Sequence, residues 1–274
     1  MGEPSMNPDT IIVVPCYNEA RRLPVGTFRA FAAADPRVRF LFVDDGSIDK
    51  TRHVLSSLAA TAPDRFQTIV QPANRGKAEA VRVGMLNAFA GGARYAGYWD
   101  ADLATPLSEI PRFIEVLDTH PDRDICFGAR VQLLGREIHR RPFRHYVGRL
   151  FATAASLAVR LPVYDTQCGA KLFRVSPATR TLFAEPFLGR WTFDVEIIAR
   201  MTQQCAGQSR RPYDLMYELP LDEWRDIDGS KVHAMDFFLS LIELGRIRRR
   251  YASSPLVTRR SGNTVEHEHS VEIR

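Results

Sequence analysis

"TIIVVPCYNE", residues 10–19, runs through Ile11, Ile12, Val13 and Val14 without a polar break and then turns polar at Tyr17, Asn18 and Glu19. A strand with one wet face alternates apolar and polar residues. This one does not, so both of its faces are expected to be buried, as in a parallel sheet covered by helices. The same form returns in "RFLFVDD" (39–45), "FQTIVQ" (66–71), "YAGYWDAD" (95–102) and "DICFGAR" (124–130), each separated from the next by a segment of helical length. Strands alternating with helices predict an α/β fold, Rossmann-like, with a mostly parallel central sheet.

In such sheets ligands collect at the carboxyl ends of the strands. The sharpest polar clusters fall there: Tyr17, Asn18 and Glu19 after the first strand, Asp44 and Asp45 after the second, Asn74 to Lys77 after the third, Asp100 and Asp102 after the fourth. Two neighbouring carboxylates repel, and unit charges 4 Å apart interact by about 4 kcal/mol at an effective dielectric of 20. A divalent cation reverses that sign, and Mg²⁺ or Mn²⁺ characteristically joins one or two carboxylates to phosphate oxygens. The competing account of "DAD" is a strand-end turn in which Asp102 caps the helix starting near Pro106. Tyr17 suits stacking on a flat base, and Asp44 suits accepting a ring N–H. Turn and cap chemistry would equally explain Asp45 and Ser47. "NRGKAEAVRVG" (74–84) brings basic groups to a helix start but is not G-x-G-x-x-G, which argues against a dinucleotide enzyme.

Bulk numbers limit the alternatives. The chain has 274 residues, 45% hydrophobic and 25% charged, enough for one full domain with a large core. A net charge of +5, without a readout motif, excludes nucleic acid as the expected partner. Cys16, Cys126, Cys168 and Cys205 lack metal spacing and are expected to be reduced and buried, Cys168 by packing. No run reaches the roughly 20 apolar residues of a membrane span, so a cytoplasmic protein is expected, at most peripheral at the membrane's cytoplasmic face. From Phe143 to Leu161 apolar residues recur at steps of three and four, among them Tyr146, Val147, Leu150, Phe151, Ala154, Leu157 and Ala158. Arg136, Arg140, Arg141, Arg144, Arg149 and Arg160 accompany them. Core packing and contact with an anionic membrane surface both account for this stripe. A second apolar helix around Met235 to Leu244 runs into Arg246, Arg248, Arg249 and Arg250. Trp191, Trp224 and Phe193, taken singly, suit a core better than a sugar platform, and "EHEHS" near the end suits a solvated tail.

The blocks "VVPCYNE", "FVDDGSIDKT", "NRGKAEAVRVG", "DADLATP", "GAR", "DTQCGAKLF", "RWTFDVE" and "EWRDIDGSKV" together resemble the inverting family 2 glycosyltransferases of the GT-A fold. Within that family they are most similar to the dolichyl-phosphate β-glucosyltransferases and other polyprenyl-phosphate transferases. The resemblance spans about Ile11 to Tyr251. It implies one GT-A domain over 10–251, with a nucleotide-sugar half (10–130), an acceptor half (131–251), and flexible tails at 1–9 and 252–274. It further implies that Pro15, Tyr17, Glu19 and Asp44 hold the nucleoside of a UDP-sugar, most simply UDP-glucose, with Asn74, Lys77 and Ala101 in the same donor pocket. Asp100 and Asp102 would hold Mg²⁺ or Mn²⁺. Arg130 and Arg144 would grip the phosphate of a polyprenyl acceptor, and Asp165, Gln167, Trp191 and Asp194 would face the sugar and the attacking group. Asp194, Asp165 and Asp102 are the catalytic candidates. The eukaryotic members carry an N-terminal membrane anchor, and no such segment stands in this sequence; a peripheral amphipathic helix is the expected substitute.

Chemistry separates the acceptors. The sugar carbon becomes oxocarbenium-like as the diphosphate departs, and cations stabilise the leaving charge. A phosphate monoester, with a second pKa near 6, is already an anion at neutral pH. A soluble or cell-envelope hydroxyl acceptor would instead need a base such as Asp194 or Asp165. A non-catalytic nucleotide-sugar sensor is the remaining alternative, and the intact aspartate pair speaks against it.

Overall fold

The computed structural model describes residues 9–139, 142–227 and 234–251. The chain opens β1 (Thr10–Cys16), α1 (Val25–Ala34), β2 (Val38–Asp44), α2 (Thr51–Thr61), β3 (Phe66–Val70), α3 (Lys77–Ala90) and β4 (Tyr95–Trp99). A short 3₁₀ turn (Leu107–Glu109) then leads through α4 (Ile110–Thr119) to β5 (Ile125–Ala129). Next come β6 (Glu137–His139), α5 (Pro142–Val159), β7 (Ala170–Arg174), α6 (Pro177–Thr181) and α7 (Phe193–Gln204). α8 (Pro212–Leu215), β8 (Met216–Pro220), β9 (Glu223–Arg225) and α9 (Ala234–Tyr251) complete it.

Among the described residues the main sheet has seven strands in the order β3-β2-β1-β4-β7-β5-β8. All five strands expected from the sequence form. β1 lies parallel between β2 and β4, with Ile12 opposite Phe40 and Gly97. Its apolar run divides by strand periodicity. Ile12 and Val14 join Phe28, Phe40 and Phe42 on one face, and Ile11 and Val13 join Leu41, Val43, Val81 and Met85 on the other. Both faces are therefore covered, and the ends of β1, β2, β3 and β4 meet at one edge.

Four strands escaped the reading of the sequence, two of them in the main sheet. β7 inserts antiparallel between β4 and β5, and β8 lies parallel outside β5. Because β7 runs the other way, its starting end brings Cys168, Gly169 and Ala170 to the edge where β4 finishes. A second, two-stranded sheet pairs β6 with β9.

The helical stripe at 143–161 needs correction. α5 ends at Val159, and its described part buries Phe151, Ala155 and Val159 against Val195 and Ile198 of α7 and Leu244 and Ile247 of α9. Leu150 and Leu157 instead face outward, 65% and 66% exposed. Of the expected stripe only Phe151 is buried in the described part; Ala155 and Val159, spaced from it by four and outside the stripe, take the interior, while Ala154, Ala158 and Leu161 are partly buried beside them. Arg149 is also spent internally, its guanidinium 4.0 Å from the Tyr164 ring centroid, and Arg136 pairs with Asp222. Phe143, Arg144, Tyr146, Val147 and Met235 have side chains outside the described part, and Arg140 and Arg141 lie outside the described residues, as do both tails but for Asp9. All four cysteines are free and buried. Among the described residues no helix is long and apolar enough to cross a membrane.

Candidate active site

The loops at the carboxyl edge are stitched together by side chains the sequence put there. Asn18, at a left-handed φ of 53°, donates its N–H to Ser47 Oγ at 2.9 Å, while its Oδ1 accepts the Ile48 N–H at 3.0 Å. Glu19 is buried, accepts an ion pair from Arg22, and has its backbone N–H held by Thr51 Oγ1 at 2.8 Å. Pro15 and Tyr17 are half-buried beside it. Asp45 proves to be a clamp: its two oxygens accept the N–H groups of Arg75 and Gly76, each at 2.8 Å, fixing the turn before α3. Its neighbour differs. Asp44 is fully buried, its Oδ1 accepts the Ser47 N–H, and its Oδ2 has no hydrogen-bond partner, with Arg52 Nε 3.8 Å away. A buried carboxylate oxygen left without a donor suits a ligand N–H.

At the end of β4, Asp100 Oδ1 sits 2.5 Å from Lys77 Nζ. Its Oδ2 lies so close over Gly169 that a Cβ there would be 1.9 Å from it. Only glycine leaves room for this carboxylate. The Asp100 N–H donates to the Gly169 carbonyl at 3.1 Å, so β7 forms the floor under the acid pair. Asp102 does not cap the following helix; its Oδ1 accepts the Ala104 N–H at 3.1 Å, closing a local turn. Burial, and then the charge of Asp100, push the Asp102 carboxyl above the ordinary range. Burial works against the Lys77 ammonium, yet Asp100 and then Asp194 outweigh it and hold its pKa above the usual lysine value. Ala101, between the aspartates, is buried.

The acid pair fits a divalent cation by the chemistry of its donors. Among the described residues no group of three or more His, Cys, Asp or Glu side chains is placed to enclose an ion. Two carboxylates that crowd each other are what Mg²⁺ or Mn²⁺ shares with phosphate oxygens and water.

A second constellation centres on Asp165 and Arg130. Asp165 is buried and spends both oxygens: Oδ2 takes Arg130 Nε at 2.6 Å and the Arg130 N–H at 3.1 Å, and Oδ1 takes Arg130 Nη2 at 2.8 Å and the Gln167 N–H at 3.1 Å. This fork holds Arg130 with its guanidinium 5.2 Å from the Trp224 ring centroid. Burial opposes the Arg130 charge, but Asp165 more than restores it and raises the pKa. Glu218 of β8 supports the arrangement by accepting the N–H groups of Tyr164 and Asp165, each at 2.9 Å to Oε1. Gln167 Nε2 is buried without a partner.

Asp194, in the first turn of α7, is 4% exposed. Its Oδ1 accepts from Tyr98 OH and from Lys171 Nζ, each at 2.5 Å. Lys171, 1% exposed, also donates to the carbonyls of Thr166 and Cys168. Burial and then Asp194 drive the Tyr98 phenol far above its usual pKa. Trp191 is half-buried, its N–H held by Glu243 at 3.3 Å, and Asn74 is exposed, accepting Arg190 Nη2 at 3.1 Å.

The structure thus gathers Lys77, Asp100 and Asp102 at one corner and ties Arg130 to Asp165 at another. Lys171, Tyr98, Gly169 and Glu218 were missed. Lys171 was the legible one, a lone charge inside the apolar run "AKLF"; Glu218 carried no signal short of the fold.

A family model described as "Glycosyl transferase family 2" matches residues 11–181. A dolichyl-phosphate beta-glucosyltransferase of Trichomonas vaginalis is 32% identical over 250 residues, covering 87% of this chain and 70% of that protein. The Homo sapiens dolichyl-phosphate beta-glucosyltransferase is 30% identical over 262 residues, covering 88% and 75%. Among solved structures, glucosyl-3-phosphoglycerate synthase from Mycobacterium tuberculosis, in complex with Mn²⁺, UDP-glucose and phosphoglyceric acid, matches with a TM-score of 0.61 at 15% identity, covering 88% of this chain and 80% of that one. The fold is the part shared at that identity.

Proposed function

The chain belongs to glycosyl transferase family 2, and on that premise we propose that it moves glucose, with inversion, from UDP-glucose to a polyprenyl phosphate of the dolichyl type. The glucosyl group and the dolichyl-phosphate acceptor are those in the curated relatives' names, and UDP-glucose is the donor in the similar Mycobacterium tuberculosis structure. Asp44, with an oxygen lacking a partner, accepts an N–H of the base, and Pro15, Tyr17 and Glu19 wall the nucleoside. Asp100 and Asp102 would hold Mg²⁺ or Mn²⁺, which would supply positive charge for a leaving diphosphate. Lys77 orients Asp100 and adds positive charge beside the leaving group, with Asn74 and Ala101 shaping the donor pocket.

One observation carries the choice of acceptor: of the carboxylates that a hydroxyl acceptor would need as bases, Asp165 has both oxygens engaged and Asp194 has its Oδ1 engaged. Asp165 accepts two hydrogen bonds on each oxygen, and Asp194 Oδ1 accepts from Lys171 and Tyr98. A phosphate acceptor arrives as an anion and needs no base. It needs a cation, which Arg130 supplies through Nη1, its Nε and Nη2 being held by Asp165. Asp194 then acts as a fixed anion facing the sugar, beside Gln167 and Trp191. Arg144 stands as a second phosphate ligand by resemblance alone.

The lipid is met at a surface. Leu150 and Leu157 on α5 and Leu239, Leu241 and Ile242 on α9 are exposed, and Arg246, Arg248, Arg249 and Arg250 follow on α9. Such a face suits peripheral attachment to an anionic membrane. The test incubates the protein with radiolabelled UDP-glucose, UDP-galactose, UDP-N-acetylglucosamine or GDP-mannose, manganese and a short polyprenyl phosphate. Label from UDP-glucose entering an acid-labile lipid fraction is the expected result. Label entering only a soluble hydroxyl acceptor overturns it.

A further inference from the structure

The segment Arg190–Thr192 leads into α7, and a single carboxylate of α9 holds it. Glu243 Oε1 accepts the Arg190 N–H at 3.0 Å; Oε2 accepts the Thr192 N–H at 3.2 Å and the Thr192 hydroxyl at 2.7 Å, and also the Trp191 N–H. Thr192 is fully buried at the start of α7, so the segment is anchored at that end. From this anchor the Arg190 side chain crosses to the turn before α3. Its Nη2 donates to Asn74 Oδ1 at 3.1 Å, 116 residues away in sequence. Its Nε is so near Gly76, at φ +94°, that a Cβ there would lie 2.8 Å from it.

Asp45, the acid nearest that turn, has both oxygens engaged by the Arg75 and Gly76 N–H groups. Among the described residues, Arg190 Nε and Nη1 donate to no acceptor. The guanidinium therefore rests on the turn Asn74–Gly76, just before Lys77, whose ammonium reaches Asp100, with part of its donor fork unspent. An arginine fork matches adjacent phosphate oxygens better than any other side chain.

We propose that Arg190 is a further donor-binding residue, its guanidinium contacting the diphosphate of the nucleotide sugar opposite Asp100 and Asp102, and that Glu243 is its positioning residue. The inference rests on the donor being a nucleoside diphosphate sugar, as above. It makes α9, far along the chain, part of the donor site. Because charge grows on the diphosphate as the bond to the sugar breaks, Arg190 acts on turnover as well as on binding.

Calorimetry with UDP and manganese, together with KM and kcat for UDP-glucose, tests this on the full chain. Arg190→Ala weakens UDP binding by about 10-fold or more, and Arg190→Lys recovers little of it, since a point charge does not reproduce the fork. Glu243→Gln, which keeps one acceptor but turns an amide N–H₂ toward backbone donors, weakens UDP binding by at least about threefold. In the Arg190→Ala background the same change adds less than about twofold, because both act through one contact. Melting temperatures are taken alongside. Arg190→Ala leaving UDP affinity within twofold overturns the assignment, and full additivity of the two variants overturns the positioning role. A wild-type protein with no affinity for UDP strikes at the donor assignment itself, a result separate from either.

Discussion

Gly169 and Asp100 show how much a single atom decides. A methyl at position 169 would overlap Asp100 Oδ2, yet it meets the end of a side chain rather than backbone, so Gly169→Ala is expected to fold. The carboxylate must move aside, and with it the ion pair to Lys77 and one of the two proposed metal ligands. We expect Gly169→Ala to lose transfer activity on the order of 100-fold, with its melting temperature close to wild type. A large fall in melting temperature with activity per folded molecule preserved would refute that account of the glycine. Asp102→Asn should be at least as damaging to activity. It should also relieve the repulsion that raises the Asp102 carboxyl, so stability is expected to hold or rise, as urea unfolding would reveal.

At the scale of elements, β4, β7 and α7 are locked by Tyr98, Lys171 and Asp194, one residue from each. Lys171→Met leaves a buried carboxylate without its cation, a change that costs about 3–5 kcal/mol. Adding Asp194→Asn should return part of that loss in urea unfolding; a Lys171→Met variant as stable as wild type would show the lock to be idle. β8 presents a different dependence. Burial raises the Glu218 carboxyl above its ordinary value, so between that value, about 4.3, and its raised folded value the native state binds more protons than the unfolded one. Stability through this window therefore falls as pH rises. Glu218→Gln retains the Oε1 acceptor and should flatten that fall, which thermal unfolding across the acid range would detect. On α5, Leu150→Glu with Leu157→Glu should weaken co-sedimentation with anionic vesicles by about tenfold while leaving stability within about 0.5 kcal/mol, the range of surface changes. Unchanged sedimentation would remove α5 from the lipid-facing surface.

For the molecule as a whole, the legible part was the part written by local pattern. Apolar runs such as Ile11–Val14 announced buried strands, and polar clusters after them marked the edge where Lys77, Asp100 and Asp102 now meet. β7 stayed hidden because its "AKLF" run carries a lysine, and a buried charge reads as exposure until its partner is known. That partner, Asp194, is 23 residues further along and reaches it only through the fold. The division of α5 was equally invisible, since a stripe of apolar residues does not say which of them neighbouring helices will cover. Arg130 and Asp165 were singled out separately, but their two-pronged pairing, on which the proposed roles of Asp165 as orienting group and Arg130 as acceptor cation rest, emerges only in three dimensions. These corners function together only if a metal-bound nucleotide occupies the end of β4. The most direct measurement is anomalous scattering from manganese in crystals soaked with UDP. A peak shared by Asp100, Asp102 and the diphosphate is expected; ordered UDP with manganese bound elsewhere, and both carboxylates turned to solvent, would contradict it.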